Sequence, residues 1–148
     1  MKVAVLMGSP NDSEKMKAAS ETLESFGVEA DVRVLSAHRS PAAVAEFASS
    51  ARAGGYAAII CGAGMAAHLA GACAAHTTLP VVGVPLSGGA LNGIDALYAT
   101  VQMPRGIPVA TVAVDGSVNA ALLVIQMLAI TDADLARQLD EHRAAGAR

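Results

Sequence analysis

The stretch Gly8-Ser9-Pro10-Asn11-Asp12 decides how this chain folds. The residues before it, 2–7, are nearly all apolar, which predicts a buried strand. The residues after it, 13–26, predict a helix, because their apolar side chains recur at helical spacing (Met16, Ala19, Leu23 and Phe26). The stretch is therefore a tight loop between the carboxyl end of a strand and the start of a helix. In an open parallel sheet, ligands bind at such a position.

The chemistry of this loop suits a phosphorylated sugar. Free backbone amides and the helix dipole attract an anion, Gly8 lets a ligand approach the backbone, and Ser9 supplies a hydroxyl. An anion alone would not select Asp12, but its carboxylate can accept hydrogen bonds from sugar hydroxyls. The residues also permit a purely structural interpretation, in which Asn11, Asp12 or Ser13 only caps the helix.

Strand and helix patterns alternate along the whole chain. Strands are predicted at 2–7, 29–35, 56–61, 80–84 and 109–114. Helices are predicted at 13–26, 41–53, 66–75, 93–101, 117–129 and 131–144, with Ser40 as the N-cap of the second and a turn at 62–64. This alternation predicts an α/β fold: a three-layer α/β/α sandwich with a flavodoxin-like parallel sheet, in a single domain spanning 1–148.

Composition limits the class of protein. Apolar residues make up 53% of the chain and charged residues only 16%, an apolar excess that needs covering in so small a domain. Helix 117–129 is apolar almost all round, so we expect a neighbouring subunit of a homo-oligomer to cover part of it. The sequence shows no apolar run of membrane-spanning length and no basic cluster. We expect a cytoplasmic protein without a signal peptide that binds neither nucleic acid nor membrane.

Three loops are expected to meet at one edge of the sheet. The loops at 8–12, 36–39 and 62–68 follow the first three strands, and the carboxyl ends of parallel strands share an edge. Their chemically useful side chains should converge in one crevice, and these are Ser9, Asp12, Ser36, His38, Arg39 and His68.

Two neighbouring residues, His38 and Arg39, carry the clearest chemistry. The Arg39 guanidinium can bind a phosphate through two hydrogen bonds. An imidazole such as that of His38 suits proton transfer near neutral pH. Either histidine of the crevice, His38 or His68, could instead have a structural role, by bonding a loop carbonyl or lying on a helix surface.

No spacing of histidine or cysteine predicts a metal site. Cys61 and Cys73 lie twelve residues apart, a spacing that matches no metal-ligand or redox motif, and are interpreted as buried apolar thiols. A flavin is disfavoured, because aromatic residues make up only 3% of the chain and none lies in the predicted loops. We therefore expect neither a metal nor a flavin cofactor.

Several blocks of this sequence, taken in order, resemble the PurE family of purine biosynthesis, the N5-carboxyaminoimidazole ribonucleotide (N5-CAIR) mutases. The matching blocks are Met7-Gly8-Ser9-x-x-Asp12, Ser36-Ala37-His38-Arg39-Ser40-Pro41, Ala66-Ala67-His68-Leu69-x-Gly71, Leu79-Pro80-Val81-x-Gly83-Val84-Pro85, Val101-Gln102-Met103-Pro104-Arg105-Gly106-Ile107-Pro108-Val109 and Asn119-Ala120-Ala121-Leu122. The resemblance implies an isomerase that moves a carboxylate from nitrogen to carbon, giving 4-carboxy-5-aminoimidazole ribonucleotide (CAIR) without any cofactor.

The resemblance also implies a role for each site residue. The implied roles are phosphate binding (Ser9, Ser36, Arg39), ribose binding (Asp12), catalysis (His38 as general acid and base, with His68) and further substrate contacts (Gly64, Ala67, Leu69). It further implies an octamer with sites at subunit junctions, in which the C-terminal segment, 131–148, packs on a neighbouring subunit.

Departures from the family pattern surround the loop expected to handle the carboxylate. Met65 and Ala70 stand where the usual form has glycine and proline, and the stretch 115–118 is shorter than the common version. These changes leave room for the sister activity, direct carboxylation of aminoimidazole ribonucleotide (AIR) by carbon dioxide, although that branch lacks the histidine retained as His68. The sequence also leaves open a non-catalytic ribonucleotide-binding module, in which His38 has no task, and a paralogue acting on another phosphorylated ligand.

Overall fold

In the computed structural model, which describes residues 1–147, strands and helices alternate around one five-stranded parallel sheet. The strands are β1 (Lys2–Met7), β2 (Glu29–Val34), β3 (Tyr56–Gly64), β4 (Val81–Leu86) and β5 (Ala110–Thr111). The helices are α1 (Ser13–Ser25), α2 (Pro41–Ala51), α3 (Leu69–Ala74), α4 (Ile94–Val101), α5 (Ser117–Ala129) and α6 (Ala133–Ala144). The predicted α/β class with a flavodoxin-like sheet is confirmed.

The order of the strands creates a crevice at one edge of the sheet. The order is β2-β1-β3-β4-β5, so the chain moves outward from β1 to β2 and then returns past β1 to β3. The connections that follow β1 and β3 therefore leave in opposite directions, which opens a crevice beyond the carboxyl ends of these two strands. In register, Met7 at the end of β1 lies between Val34 of β2 and Gly62 of β3, which brings the loops after all three strands together.

Alternate side chains of the central strand face two separate core layers. In β1, Val3, Val5 and Met7 pack against α1 and α5, whereas Ala4 and Leu6 pack on the opposite side, against α2 and α3. All of these side chains are almost fully buried. Because both faces of the strand are covered, its sequence is one continuous apolar run.

Two glycines let helices approach the sheet closely. A Cβ added at Gly62 would lie 2.3 Å from the Sδ of Met16 in α1, and one added at Gly83 would lie 2.3 Å from the Cγ2 of Thr100 in α4. Neither position has room for a side chain unless the side chains packed on it shift.

Predicted boundaries were wrong where the backbone is irregular. The turn expected at 62–64 is strand, because β3 stays paired with β4 as far as Gly64 opposite Leu86. The helix expected at 66–75 is reduced to α3, because the chain turns at Met65, whose φ is 51°. The fifth strand, expected at 109–114, keeps only the two residues of β5.

The expected cap of α2 is only partly correct. Ser40 occupies the N-cap position, but its side chain makes no capping bond. Its hydroxyl instead donates a hydrogen bond to the carbonyl of Ser36, at 3.1 Å. The residue therefore closes the preceding loop rather than satisfying the first turn of the helix.

The last two helices pack on the chain's own core. α5 buries one face within this chain, while Val118 on its other face is 44% exposed. α6 is anchored by the buried Leu135, and the His142 ring lies edge-on to Phe26. Packing of 131–148 on a neighbouring subunit stays a prediction, and its last residue, Arg148, lies outside the described residues. Within 1–147, no helix combines the length and apolar character that spanning a membrane requires.

Candidate active site

The carboxyl ends of the first four strands surround a cavity of about 490 Å³. Its walls come from the loops after β1, β2, β3 and β4, together with Lys15 of α1. Eight of the nine predicted site residues line it, and they are Ser9, Asp12, Ser36, His38, Arg39, Gly64, His68 and Leu69. The ninth, Ala67, is 2% exposed and lies outside the lining.

Two imidazole rings meet in this cavity. The Nε2 of His38 and the Nδ1 of His68 lie 2.8 Å apart, and the rings are arranged edge to face. At this distance one nitrogen donates a proton and the other accepts it. The contact fixes the orientation of both rings and leaves the second nitrogen of each free of this bond.

Short loop bonds set the position of His38. The Ser36 hydroxyl accepts a hydrogen bond from the Arg39 amide at 3.2 Å, and the Ser40 amide donates to the Ser36 carbonyl at 2.9 Å. These bonds close a turn around Ala37 and His38 directly before α2. The loop is therefore shaped by its own serines, which are local in sequence.

One end of the cavity carries groups that suit an anion. The Ser9 hydroxyl accepts a bond from the Asn11 amide at 3.2 Å, so its own proton is left for a ligand. In the part of the chain that the structure describes, the Arg39 guanidinium forms no ion pair and no hydrogen bond. A Cβ on Gly8 would have only two atoms at 4.0 Å, so the glycine leaves open space facing the cavity.

Asp12 lies at the N-cap position of α1, but its side chain makes no capping bond. The hydroxyl of Ser13 donates to the Pro10 carbonyl, at 2.6 Å. Burial raises the pKa of Asp12, and a backbone hydrogen bond involving Ser9 and the charge of Lys15 act in the opposite direction. Its carboxylate therefore does not cap the helix and faces the cavity. A residue that binds ribose needs a carboxylate that is available in this way.

A polar network that the sequence analysis missed holds the far wall. The Lys15 ammonium donates to the carbonyl and to the hydroxyl of Ser87, each at 2.6 Å, and lies 3.6 Å from Asp115. Asp115 accepts bonds from the amide of Ser87, at 2.9 Å, and from its hydroxyl. Burial would raise the pKa of Asp115, but its hydrogen bonds from Ser87 and the nearby Lys15 prevail and lower it.

This network, Lys15–Ser87–Asp115, fixes the glycine-rich segment 87–89 that lines the cavity. The carboxyl ends of parallel strands share one edge of the sheet, and this holds for β4 as well as for the first three strands. The sequence could therefore have predicted that segment 87–89 lies at the site. Lys15 and Asp115 could not, because their contacts join positions far apart in the chain.

The cavity therefore combines an end whose groups suit an anion, a carboxylate that can accept hydrogen bonds from hydroxyl groups, and a pair of imidazoles. The family model described as AIR carboxylase matches residues 2–148 of this sequence. The chain belongs to the AIR carboxylase family. The predicted family is confirmed.

Named members of the AIR carboxylase family are similar along most of this chain. An N5-carboxyaminoimidazole ribonucleotide mutase of Brucella melitensis is 52% identical over 145 residues, which cover 97% of this chain and 90% of that protein. A chloroplastic phosphoribosylaminoimidazole carboxylase of Vigna aconitifolia is 49% identical over 138 residues, covering 93% of this chain but only 25% of that protein. The crystal structure of Treponema denticola PurE aligns with a TM-score of 0.89 at 26% identity, covering 99% of this chain and 91% of that one.

Proposed function

We propose that this chain is an N5-CAIR mutase of purine biosynthesis, in which His38 gives and takes the proton. The observation that carries the proposal is the contact between His38 and His68 inside a cavity that also holds Ser9, Asp12 and Arg39. Bacterial relatives of nearly the same length that bear the mutase name support the choice of reaction. The substrate is a ribonucleotide, whose phosphate and ribose match the anion-binding end and the carboxylate of the cavity.

The first half of the reaction breaks the bond between N5 and the carboxylate. Carbon dioxide leaves without the bonding electron pair, which stays on N5 and takes a proton from the His38 imidazolium. The cavity then holds AIR, carbon dioxide and a neutral His38. His68 orients the ring of His38 through the 2.8 Å contact, so that the proton is delivered in one direction.

The second half reverses the roles. The ring carbon C4 attacks carbon dioxide, and His38 removes the proton from C4, which restores the aromatic ring and gives CAIR. The proton lost in the first half is regained in the second, so the cycle balances without an added reactant. The cavity contributes by keeping both fragments in reactive contact, which makes the recombination effectively unimolecular.

The cell compartment and the assembly belong to the same proposal. Both cysteines are free and buried, which fits a reducing compartment, and we assign the protein to the cytoplasm. Several large apolar side chains are exposed on the single chain, which supports a homo-oligomer and, with the family resemblance, an octamer. Its proposed partners are the ribonucleotide and copies of itself.

The test offers the purified protein each candidate substrate separately. CAIR formed from N5-CAIR without added bicarbonate, faster than in the enzyme-free solution, supports the mutase. CAIR formed only from AIR and bicarbonate would identify the sister carboxylase, the activity in the name of the plant relative. Binding of CAIR without turnover of either substrate would leave a ribonucleotide-binding module.

A further inference from the structure

The side chain of Met65 occupies a place in the cavity that neither backbone preference nor core packing explains. Its φ of 51° lies in the left-handed region, which glycine adopts freely and L-residues with a side chain avoid. In the single chain Met65 is 61% exposed, so packing within the chain does not compensate for this strained conformation. A residue kept under strain at the edge of a site points to a role in that site.

The chain around Met65 is turned tightly, so the strain is imposed locally. The amide of Ala67 bonds to the carbonyl of Met65, and the amide of His68 bonds to that of Ala66, each at 2.9 Å. These two successive narrow turns carry the chain from β3 to His68. Met65 therefore projects from the loop that positions His68.

The Met65 side chain reaches the neighbouring wall of the cavity, which the loop after β4 forms. A Cβ added at Gly89 would lie 3.1 Å from the Cγ and 3.3 Å from the Sδ of Met65. The thioether thus lies against the backbone of Gly89, bridging the loop after β3 and the loop after β4. The segment that Met65 contacts, 87–89, is held in place, because Ser87 is hydrogen-bonded to Lys15 and Asp115.

We propose that Met65 is a retention residue, which closes the side of the cavity between β3 and β4 and keeps carbon dioxide beside AIR between the two half-reactions. This inference rests on the proposed mutase function. Carbon dioxide is neutral and small, so a wall that retains it must be closed and apolar rather than a hydrogen-bonding group. The flexible, unbranched methionine side chain can fill such a gap and move aside when substrate enters.

The test measures how often carbon dioxide escapes during turnover. Unlabelled N5-CAIR is converted in a solution of ¹³C-bicarbonate, and the label in CAIR and the free AIR are measured for the wild type and for Met65→Ala, Met65→Gly and Met65→Leu. We expect a several-fold rise in both quantities for the alanine and glycine variants. We expect values near the wild type for the leucine variant, which keeps an apolar side chain of similar length.

The readouts separate retention from a general structural effect. The affinity for CAIR should stay within twofold of the wild type in all variants, since the Met65 side chain carries no charge and only a weak hydrogen-bond acceptor. Met65→Gly is expected to fold, because glycine relieves the left-handed backbone. Unchanged label and free AIR in the alanine and glycine variants, with the wild type active on N5-CAIR, would overturn the retention role alone. A wild type inactive on N5-CAIR would overturn the proposed function and this inference together.

Discussion

A single shared hydrogen bond couples the two histidines of the cavity. When one ring donates to the other, the tautomer of each ring is set by its partner. In the proposed mechanism, the ring nitrogen that is left out of this bond is the one available to the substrate. A lone histidine on a loop would have to be ordered by substrate at each turnover, whereas this pair is ordered beforehand.

At the scale of single residues, replacing His38 tests the proton transfer. His38→Asn keeps a hydrogen-bonding group but cannot carry a proton, so turnover should fall by about 100- to 10,000-fold while CAIR still binds. The measurements are the rate of CAIR formation and the affinity for CAIR. His76→Asn is the control, since His76 lies at a separate surface pocket. Normal turnover in His38→Asn would exclude His38 as the general acid and base.

Arg39 is the test of the anion-binding end. Losing a charged hydrogen bond to phosphate costs about 1.5–3 kcal/mol, so Arg39→Ala should weaken binding of CAIR by about 10- to 100-fold. The dephosphorylated nucleoside should bind the variant and the wild type alike. Arg52→Ala is the matched control, because that guanidinium bonds Thr78 on another part of the surface. Equal affinities of wild type and Arg39→Ala for CAIR would exclude Arg39 from the phosphate site.

At the scale of elements, the site is made by loop placement more than by helix geometry. The residues predicted from sequence follow the ends of β1, β2 and β3, where the parallel topology alone brings Ser9, His38 and His68 together. The sequence could not predict the left-handed turn at Met65, because it depends on local bonding of a residue type that avoids that region. Nor could it predict that β3 continues through two glycines, which are disfavoured in strands but paired here with β4.

The Lys15–Ser87–Asp115 network joins a helix to two loops, and Lys15→Met tests what it contributes. The variant loses two hydrogen bonds to Ser87 and the ion pair with Asp115. We expect the free energy of unfolding to fall by about 1 kcal/mol, a low value because the ion pair is partly exposed to solvent. Urea unfolding at neutral pH measures it. Lys17→Met is the control on the same helix, where an exposed pair with Glu21 should contribute little.

The network also has a defined pH dependence. The pKa of Asp115 is lowered in the folded chain from its ordinary value of 3.8. The ionised carboxylate therefore contributes its full stabilisation of the fold above pH 3.8, and this contribution is lost as the pH falls through the lowered, folded-state pKa. The difference between the wild type and Lys15→Met should therefore be constant near neutrality and shrink below about pH 4. A difference that stays constant on acidification would show that Asp115 is not ionised in the network.

At the scale of the whole molecule, part of the exposed apolar surface is gathered into one stripe. Along α4 and the loop before it, Leu91, Ile94, Tyr98 and Val101 recur at helical spacing, and each is between 46% and 61% exposed. This stripe thus accounts for part of the apolar excess that the composition shows. Sequence analysis predicted the excess but not its position, because only the packing of α4 on β4 decides which of its faces is covered.

Charge placed in this stripe should break the assembly that we propose. Tyr98→Glu puts a carboxylate where a neighbouring subunit would bury a 61% exposed tyrosine, and an unpaired buried charge is costly enough to separate subunits. Light scattering of the wild type should give the mass of an octamer, and that of Tyr98→Glu a smaller species. Lys17→Gln changes the net charge equally on an exposed face of α1 and should leave the mass unchanged. A monomeric wild type would contradict the proposed octamer. The stripe would then be exposed to solvent, and the site would have to function without a neighbouring subunit.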